Sequence, residues 1–316
     1  MRLSVVICTW NRCQLLRQTL EQMTKLAIPA GLEWEVLGVN NKCTDATDEV
    51  LAEFAGRLPL RRLYEGQAGK SHALNLAMRE AQGEYLVYTD DDVLTDAHWL
   101  AEYDQAFRRW PQAALFGGPV EPWFAGTPPR WLEEALPIIE SAYAVRRIAG
   151  APAPIEPRFV PFGANLAIRK QEQLRFPFDP AFGPRVELPA GGRAGVKVGG
   201  EESMVLWKML EAGCQGWWVP GARVRHYLAQ ERQTSAYLRD FYFGHGVLLG
   251  RRALERTEGV PRSRSMLWLD ALAGDAKYAA GKLLGRPTMW VKGLKKASIG
   301  RGKLAALRER GRSQAR

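Results

Sequence analysis

An α/β fold with a mostly parallel central sheet follows from two patterns and one landmark. Apolar strands alternate with helices of 10 to 14 residues as far as Gly117, and polar residues follow the strands. One strand, Glu84 to Thr89, runs straight into three consecutive carboxylates, Asp90, Asp91 and Asp92. Parallel strands joined by helices require right-handed crossovers, which bring the strand carboxyl ends to one edge. Open sheets of this kind bind ligands at that edge.

Leu3 to Cys8 reads as a strand, and Arg12 to Lys25, with Leu15, Leu16, Leu20 and Met23 on one face, as an amphipathic helix. Pro29 and Gly31 close that unit. Strands are then expected over Trp34–Asn40, Leu60–Glu65 and Glu84–Thr89, and helices over Asp45–Phe54, Ser71–Ala81 and Ala97–Trp110. In this arrangement Thr9, Asn40, Glu65 and Asp90 end their strands along one cleft. Prolines from Pro119 to Pro161 imply loops and short irregular elements in the middle. Gly183, Gly191, Gly192, Gly195, Gly199 and Gly200 punctuate a stretch without apolar periodicity, expected to be a mobile lid. Helices follow from Glu201 to Ala212 and again from about Thr234.

The chain has 316 residues, 46% hydrophobic and 25% charged, an ordinary globular composition. Its net charge of +10 is unevenly spread: Arg251 to Arg316 hold 17 Lys and Arg against 5 Asp and Glu, so +12 lies in the tail and −2 in the rest. A catalytic domain over 1–250 and a basic helical extension over 251–316 are the expected division. In the tail Trp290 and Leu294 alternate with Lys292, Lys295 and Lys296, followed by Arg301 and Lys303. This suits either a peripheral helix on an anionic membrane surface or a plain helix packed over the catalytic domain. No apolar run is long enough to span a bilayer, and no secretory signal is evident. Cys8, Cys13, Cys43 and Cys214 lack C-x-x-C spacing, which argues against a zinc site or a disulfide framework. A cytoplasmic enzyme is expected.

Three adjacent carboxylates cannot all ionise without a compensating cation. At a strand end they suit a divalent metal that holds phosphate oxygens, although three acids also occur in solvated turns. Gly69-Lys70-Ser71 lacks the spacer and leading glycine of a Walker A loop, which excludes that reading.

Several ordered motifs then resemble glycosyltransferase family 2, the GT-A fold, over residues 3 to about 245. They are Val5 to Arg12, Asn40 to Thr47, Glu65 to Asn75, Thr89 to Asp92, Phe162 to Arg169, and Gly199 to Glu202. The resemblance implies a GT-A nucleotide-sugar-binding fold of the inverting, non-processive type. Thr9, Asn11, Arg12 and Asn40 would then hold the donor base and ribose, although family members usually carry aspartate where Asn40 stands. Asn40 and Asn41 also suit a simple Asx-type turn. Lys70 would approach the donor nucleotide and Asn75 would brace the cleft. Asp90 and Asp92 take the D-x-D positions, with Asp92 directly on Mg2+ or Mn2+ and Asp90 nearer the ribose or donor sugar. His226 corresponds to a position that can join the metal or the diphosphate; a lone histidine is also commonly structural.

The resemblance makes Glu202 the catalytic base, at the second acid of the family's E-D pair, with Glu201 orienting the acceptor or a lid residue. Two acids at a helix start also favour the helix dipole. Trp123 is a candidate for stacking an acceptor sugar as well as for the core. Processive synthases of the family carry Q-x-x-R-W and membrane helices, whereas Gln230-Glu231-Arg232-Gln233 lacks the tryptophan. Transfer of one sugar from a nucleoside-diphosphate donor to a glycan or lipid-linked acceptor is expected, with no nucleic-acid partner. The rivals are a nucleotidyltransferase and a catalytically silent nucleotide-sugar or polyanion-binding protein.

Overall fold

A computed structural model describes residues 2–148, 150–183, 199–255 and 263–313. The stretch expected as a lid lies outside the described residues from 184 to 198. The chain begins β1 (Arg2–Thr9), α1 (Cys13–Met23), β2 (Glu33–Asn40), α2 (Thr47–Phe54), β3 (Leu60–Tyr64), α3 (Lys70–Glu80), β4 (Tyr85–Asp90). It continues β5 (Val93–Thr95), α4 (Trp99–Arg109), β6 (Leu115–Gly117), β7 (Val120–Phe124), α5 (Arg130–Ile139), β8 (Ala153–Pro154), β9 (Leu166–Arg169), α6 (Lys170–Gln173). It ends α7 (Glu201–Glu211), β10 (Gly216–Trp218), β11 (Val224–Leu228), α8 (Ser235–Glu255), α9 (Arg264–Leu283), α10 (Pro287–Ser313).

Two compact units are present, the first comprising 1–123, 144–180 and 201–227. Its main sheet has the order β3-β2-β1-β4-β9-β6-β10-β8, with β9 antiparallel to both neighbours and β8 antiparallel at the edge. The remaining pairings are parallel, as expected. β1 lies between β2 and β4 and is buried on both faces through Leu3, Val5, Val6 and Ile7, which explains its unbroken apolar run. Register places Thr9 beside Asn40, Asn40 beside Tyr64, and Cys8 beside Asp90. The strand ends therefore share one edge. Leu16, Leu20 and Met23 of α1 enter the core, as do Trp99, Tyr103 and Phe107 of α4, whose Phe107 ring stacks on Tyr85 at 3.8 Å. A second sheet, β5-β11-β7, starts where the acidic cluster ends.

The second unit comprises 124–143, 181–200 and 228–316. This division assigns all of α8, which runs unbroken across position 250, to the helical unit. Helices α9 and α10 form an antiparallel hairpin, with Gly285 in the left-handed region (φ 60°) at its turn. Glycines let helices approach closely: a side chain at Gly246 or Gly302 would strike the facing backbone of α10 or α8. Trp290, Val291 and Leu294 are buried here, and the Trp290 ring lies 5.0 Å from Trp131 and 6.0 Å from Tyr278 between centroids. These side chains are core residues, so of the two readings expected for this helix the packed one fits Trp290 and Leu294 and the membrane-anchor one does not.

Candidate active site

The β1 end supplies Thr9, and the loop beyond it turns sharply at Asn11, whose φ of 51° an asparagine tolerates well. Thr9 Oγ1 donates to Asp91 Oδ2 at 2.7 Å, and Arg12 reaches Asp91 Oδ1 at 3.2 Å and Asp92 Oδ2 at 2.7 Å. Asp91 is thus the buried anchor of the acidic run. Burial, reinforced by Asp92, raises its carboxyl to about 6 against the opposing pull of Arg12 and Thr9. Burial also opposes the Arg12 charge, yet Asp91 and Asp92 raise the guanidinium above its usual range.

Asn11 ties the loop after β1 to the loop after β2, and Asn40 serves its own loop. Asn11 Oδ1 accepts from the Thr44 amide at 2.7 Å, and Asn40 Oδ1 from the Cys43 amide at 2.8 Å, the Asx-type turn. Asn41 ties the third strand end to the second, donating to Glu65 and Gln67 carbonyls and accepting from the Gly69 amide. Gly69 has a φ of 142°, which favours glycine there, and it delivers Lys70 to the start of α3.

Lys70 Nζ lies 2.8 Å from both Asp90 Oδ1 and Glu202 Oε1, and 3.9 Å from Glu201 Oε1. Burial disfavours its charge, but Asp90, Glu202 and Glu201 outweigh it and hold the ammonium well above its ordinary pKa. The two acids occupy the first turn of α7, where the helix dipole favours negative charge. Glu201 is the more buried of the pair. A side chain at Gly163 would collide with the Glu202 carboxylate, so this glycine makes the room in which that carboxylate sits. Asn75 braces a neighbouring segment through paired hydrogen bonds with Phe178.

Strand β11 runs antiparallel to β5 with His226 opposite Val93, and the Tyr227 amide donates to the Asp92 carbonyl at 2.9 Å. His226 Nε2 therefore lies 3.3 Å from Asp92 Oδ1. One potential ligand atom from each of Asp90, Asp92 and His226 falls within 4.8 Å of the others. Two hard carboxylate oxygens and one imidazole nitrogen fit a divalent ion such as Mg2+ or Mn2+.

All ten predicted site residues fall in the first unit, but not in one ring. Asp90, Asp92, His226, Lys70, Glu201, Glu202, Thr9 and Arg12 are joined by the contacts above, while Asn11 and Asn40 support the adjoining loops. Arg12, expected on the donor base, instead meets the acidic cluster. Sequence reasoning missed the anchoring role of Asp91 and the space left by Gly163, although both residues stand inside the motifs quoted above. Trp123 packs edge-on against Tyr227 with centroids 4.9 Å apart, an intramolecular contact.

The fold is of the GT-A type, with the strand-edge cluster at its carboxyl edge. Residues 4–144 match the family model for glycosyl transferase family 2. The chain is 24% identical over 281 residues to the succinoglycan biosynthesis protein ExoM of Rhizobium meliloti, covering 87% of this chain and 81% of that protein. It is 28% identical over 94 residues to the poly(ribitol-phosphate) β-N-acetylglucosaminyltransferase TarS of Staphylococcus aureus, 29% of this chain and 16% of TarS. Among solved structures, the mannosyltransferase PcManGT from Pyrobaculum calidifontis, in complex with GDP-Man and Mn2+, superposes with a TM-score of 0.63 at 20% identity. That match covers 97% of this chain and 87% of PcManGT. TarS residues 1–349 with UDP-GlcNAc give a TM-score of 0.53 at 13% identity, over 98% and 92% of the two chains. Over residues 4–144 the chain is thus similar to glycosyltransferase family 2.

Proposed function

We propose that this enzyme is an inverting, divalent-metal-dependent transferase that moves a single sugar from a nucleoside-diphosphate donor to a glycan or lipid-linked acceptor. The observation that carries the reading is Lys70, which joins the D-x-D carboxylate Asp90 to the candidate base Glu202 within one half-buried ion-pair network. Asp90, Asp92 and His226 would hold the metal, whose chemistry is Lewis-acid stabilisation of charge on the departing diphosphate. The imidazole favours Mn2+ over Mg2+ as the resident ion. The nucleotide-sugar ligands of PcManGT and TarS support the donor class.

In the reaction the acceptor oxygen attacks the anomeric carbon as the bond to the diphosphate oxygen breaks. Glu202, paired with Lys70 Nζ at 2.8 Å, takes the acceptor proton, and the more buried Glu201 acts as a positioning group. Direct displacement on the face opposite the leaving group inverts the anomeric centre. Lys70 and Arg12 supply fixed positive charge near the strand edge where the diphosphate would lie. ExoM's part in succinoglycan biosynthesis supports a polysaccharide-building role.

The test is a panel of UDP- and GDP-sugars assayed for nucleoside diphosphate release and for thermal stabilisation, each with Mn2+, with Mg2+ and with chelator. Donor-specific, metal-dependent release is expected. Release of a nucleoside monophosphate, or unchanged turnover in chelator, would overturn the reading.

A further inference from the structure

Helix α9 is apolar on two sides. One side, Leu267, Ala271, Gly274 and Gly281, is buried in the helical unit, where Gly274 faces Ala297 and Gly281 faces Trp290 of α10. The other carries Trp268, Leu269, Leu272, Ala276, Ala279 and Leu283, all exposed, with Leu269 65%, Leu272 59% and Leu283 88% accessible. At 3.6 residues per turn these six positions fall on one stripe, about 25 Å long at 1.5 Å per residue, with no charge inside it. Large contiguous exposed apolar surfaces mark interaction sites.

The borders of the stripe name the partner. Arg264, Lys277 and, just beyond the helix, Arg286 are exposed basic residues, while Lys282 lays its ammonium over the Trp290 ring of α10 at 4.1 Å. The two acids of α9 are drawn to α10, Asp270 by Lys296 at 3.1 Å and Asp275 by Arg301. The stripe is therefore edged by unopposed positive charge. Two copies meeting through it would bring like-charged flanks together, which disfavours a symmetric pair. An anionic bilayer surface satisfies both components, because it takes up apolar side chains at the headgroup boundary and attracts the surrounding cations. None of the described helices is long and apolar enough to cross a membrane, so the mode is lying on rather than spanning.

We infer that α9, not α10, is a membrane-surface element that seats the enzyme on an anionic leaflet through Trp268, Leu269, Leu272 and Leu283. The inference concerns where the enzyme sits and does not depend on the donor, metal or base assigned above. Its test is co-sedimentation of the full chain with vesicles of equal phosphatidylcholine and phosphatidylglycerol, or of phosphatidylcholine alone. The native protein is expected to bind the mixed vesicles, and less of it to bind as salt rises. Leu269→Ser with Leu272→Ser, at exposed positions, should keep the native circular dichroism and partition at least about tenfold less. Arg264→Glu with Lys277→Glu should lose binding to the mixed vesicles several-fold and leave that to phosphatidylcholine unchanged. Failure of the native protein to bind mixed vesicles, or native-like binding by both variants, would overturn the inference. So would a native dimer that the double serine substitution converts to monomer, because a second copy would then cover the stripe.

Discussion

Glu202 is where small changes should have the largest chemical consequence. Glu202→Gln keeps the shape of the side chain but removes the proton acceptor, so transfer should fall about 10²-fold or more while donor binding persists. Gly163→Ala tests the same site from behind. Its methyl group would occupy the space of the Glu202 carboxylate, so kcat should fall with little loss of melting temperature, which a defect confined to folding would not produce. Asp92→Asn removes one charge from the metal cluster without changing volume, and Mn2+-induced thermal stabilisation should disappear with turnover; a folded Asp92→Asn protein with native activity would refute the metal assignment. Several of these residues were legible because strand ends converge. Asp90, Asp92 and Lys70 follow from the order of strands and helices. His226 stands far from them in sequence and is recruited by the pairing of β11 with β5, a non-local register that composition does not encode. Arg12 was expected on the donor base; its contacts with Asp91 and Asp92 were not foreseen, because the need of that buried pair for a nearby cation is visible only once the strand end is built.

Among the elements, strands β1 to β4 and their helices were readable from periodicity, because each buries a continuous apolar set against its neighbours. The C-terminal helices were harder. Trp290 and Leu294 look like surface anchors beside Lys292, Lys295 and Lys296, yet glycines in both helices of the hairpin bring α9 and α10 close enough to bury them. Periodicity identifies an apolar face but not which of two faces will be covered. Lys295 shows the same limit: its ammonium donates to the Ile138 carbonyl and lies over the Tyr242 ring at 5.1 Å, so a residue read as membrane-facing belongs to the unit's interior. α8 also carries a pH-dependent weakness. Burial, with Lys295 and Lys303 nearby, lowers His245 to about 4 from the ordinary value of 6.5. The folded form therefore favours neutral imidazole; its contribution is intact above pH 6.5 and is lost as pH falls through 6.5 toward 4. At pH 5 this amounts to about 2 kcal/mol. Thermal denaturation at pH 7 and pH 5 should show a larger loss for the native protein than for His245→Gln, and equal losses would contradict it.

At the scale of the whole molecule, one unit holds the strand-edge acidic cluster and the other is a glycine-packed helical assembly bearing most of the positive charge. The first was expected as a mostly parallel α/β fold, and its strand-edge cluster supports an inverting displacement. The most direct measurement is a proton and phosphorus NMR time course of one reaction containing a nucleotide sugar accepted in the donor screen, Mn2+ and an acceptor. The account predicts that nucleoside diphosphate accumulates in step with a new glycosidic signal of opposite anomeric configuration to the donor. A product that retains the donor's configuration, or a nucleoside monophosphate attached to the acceptor, would contradict it.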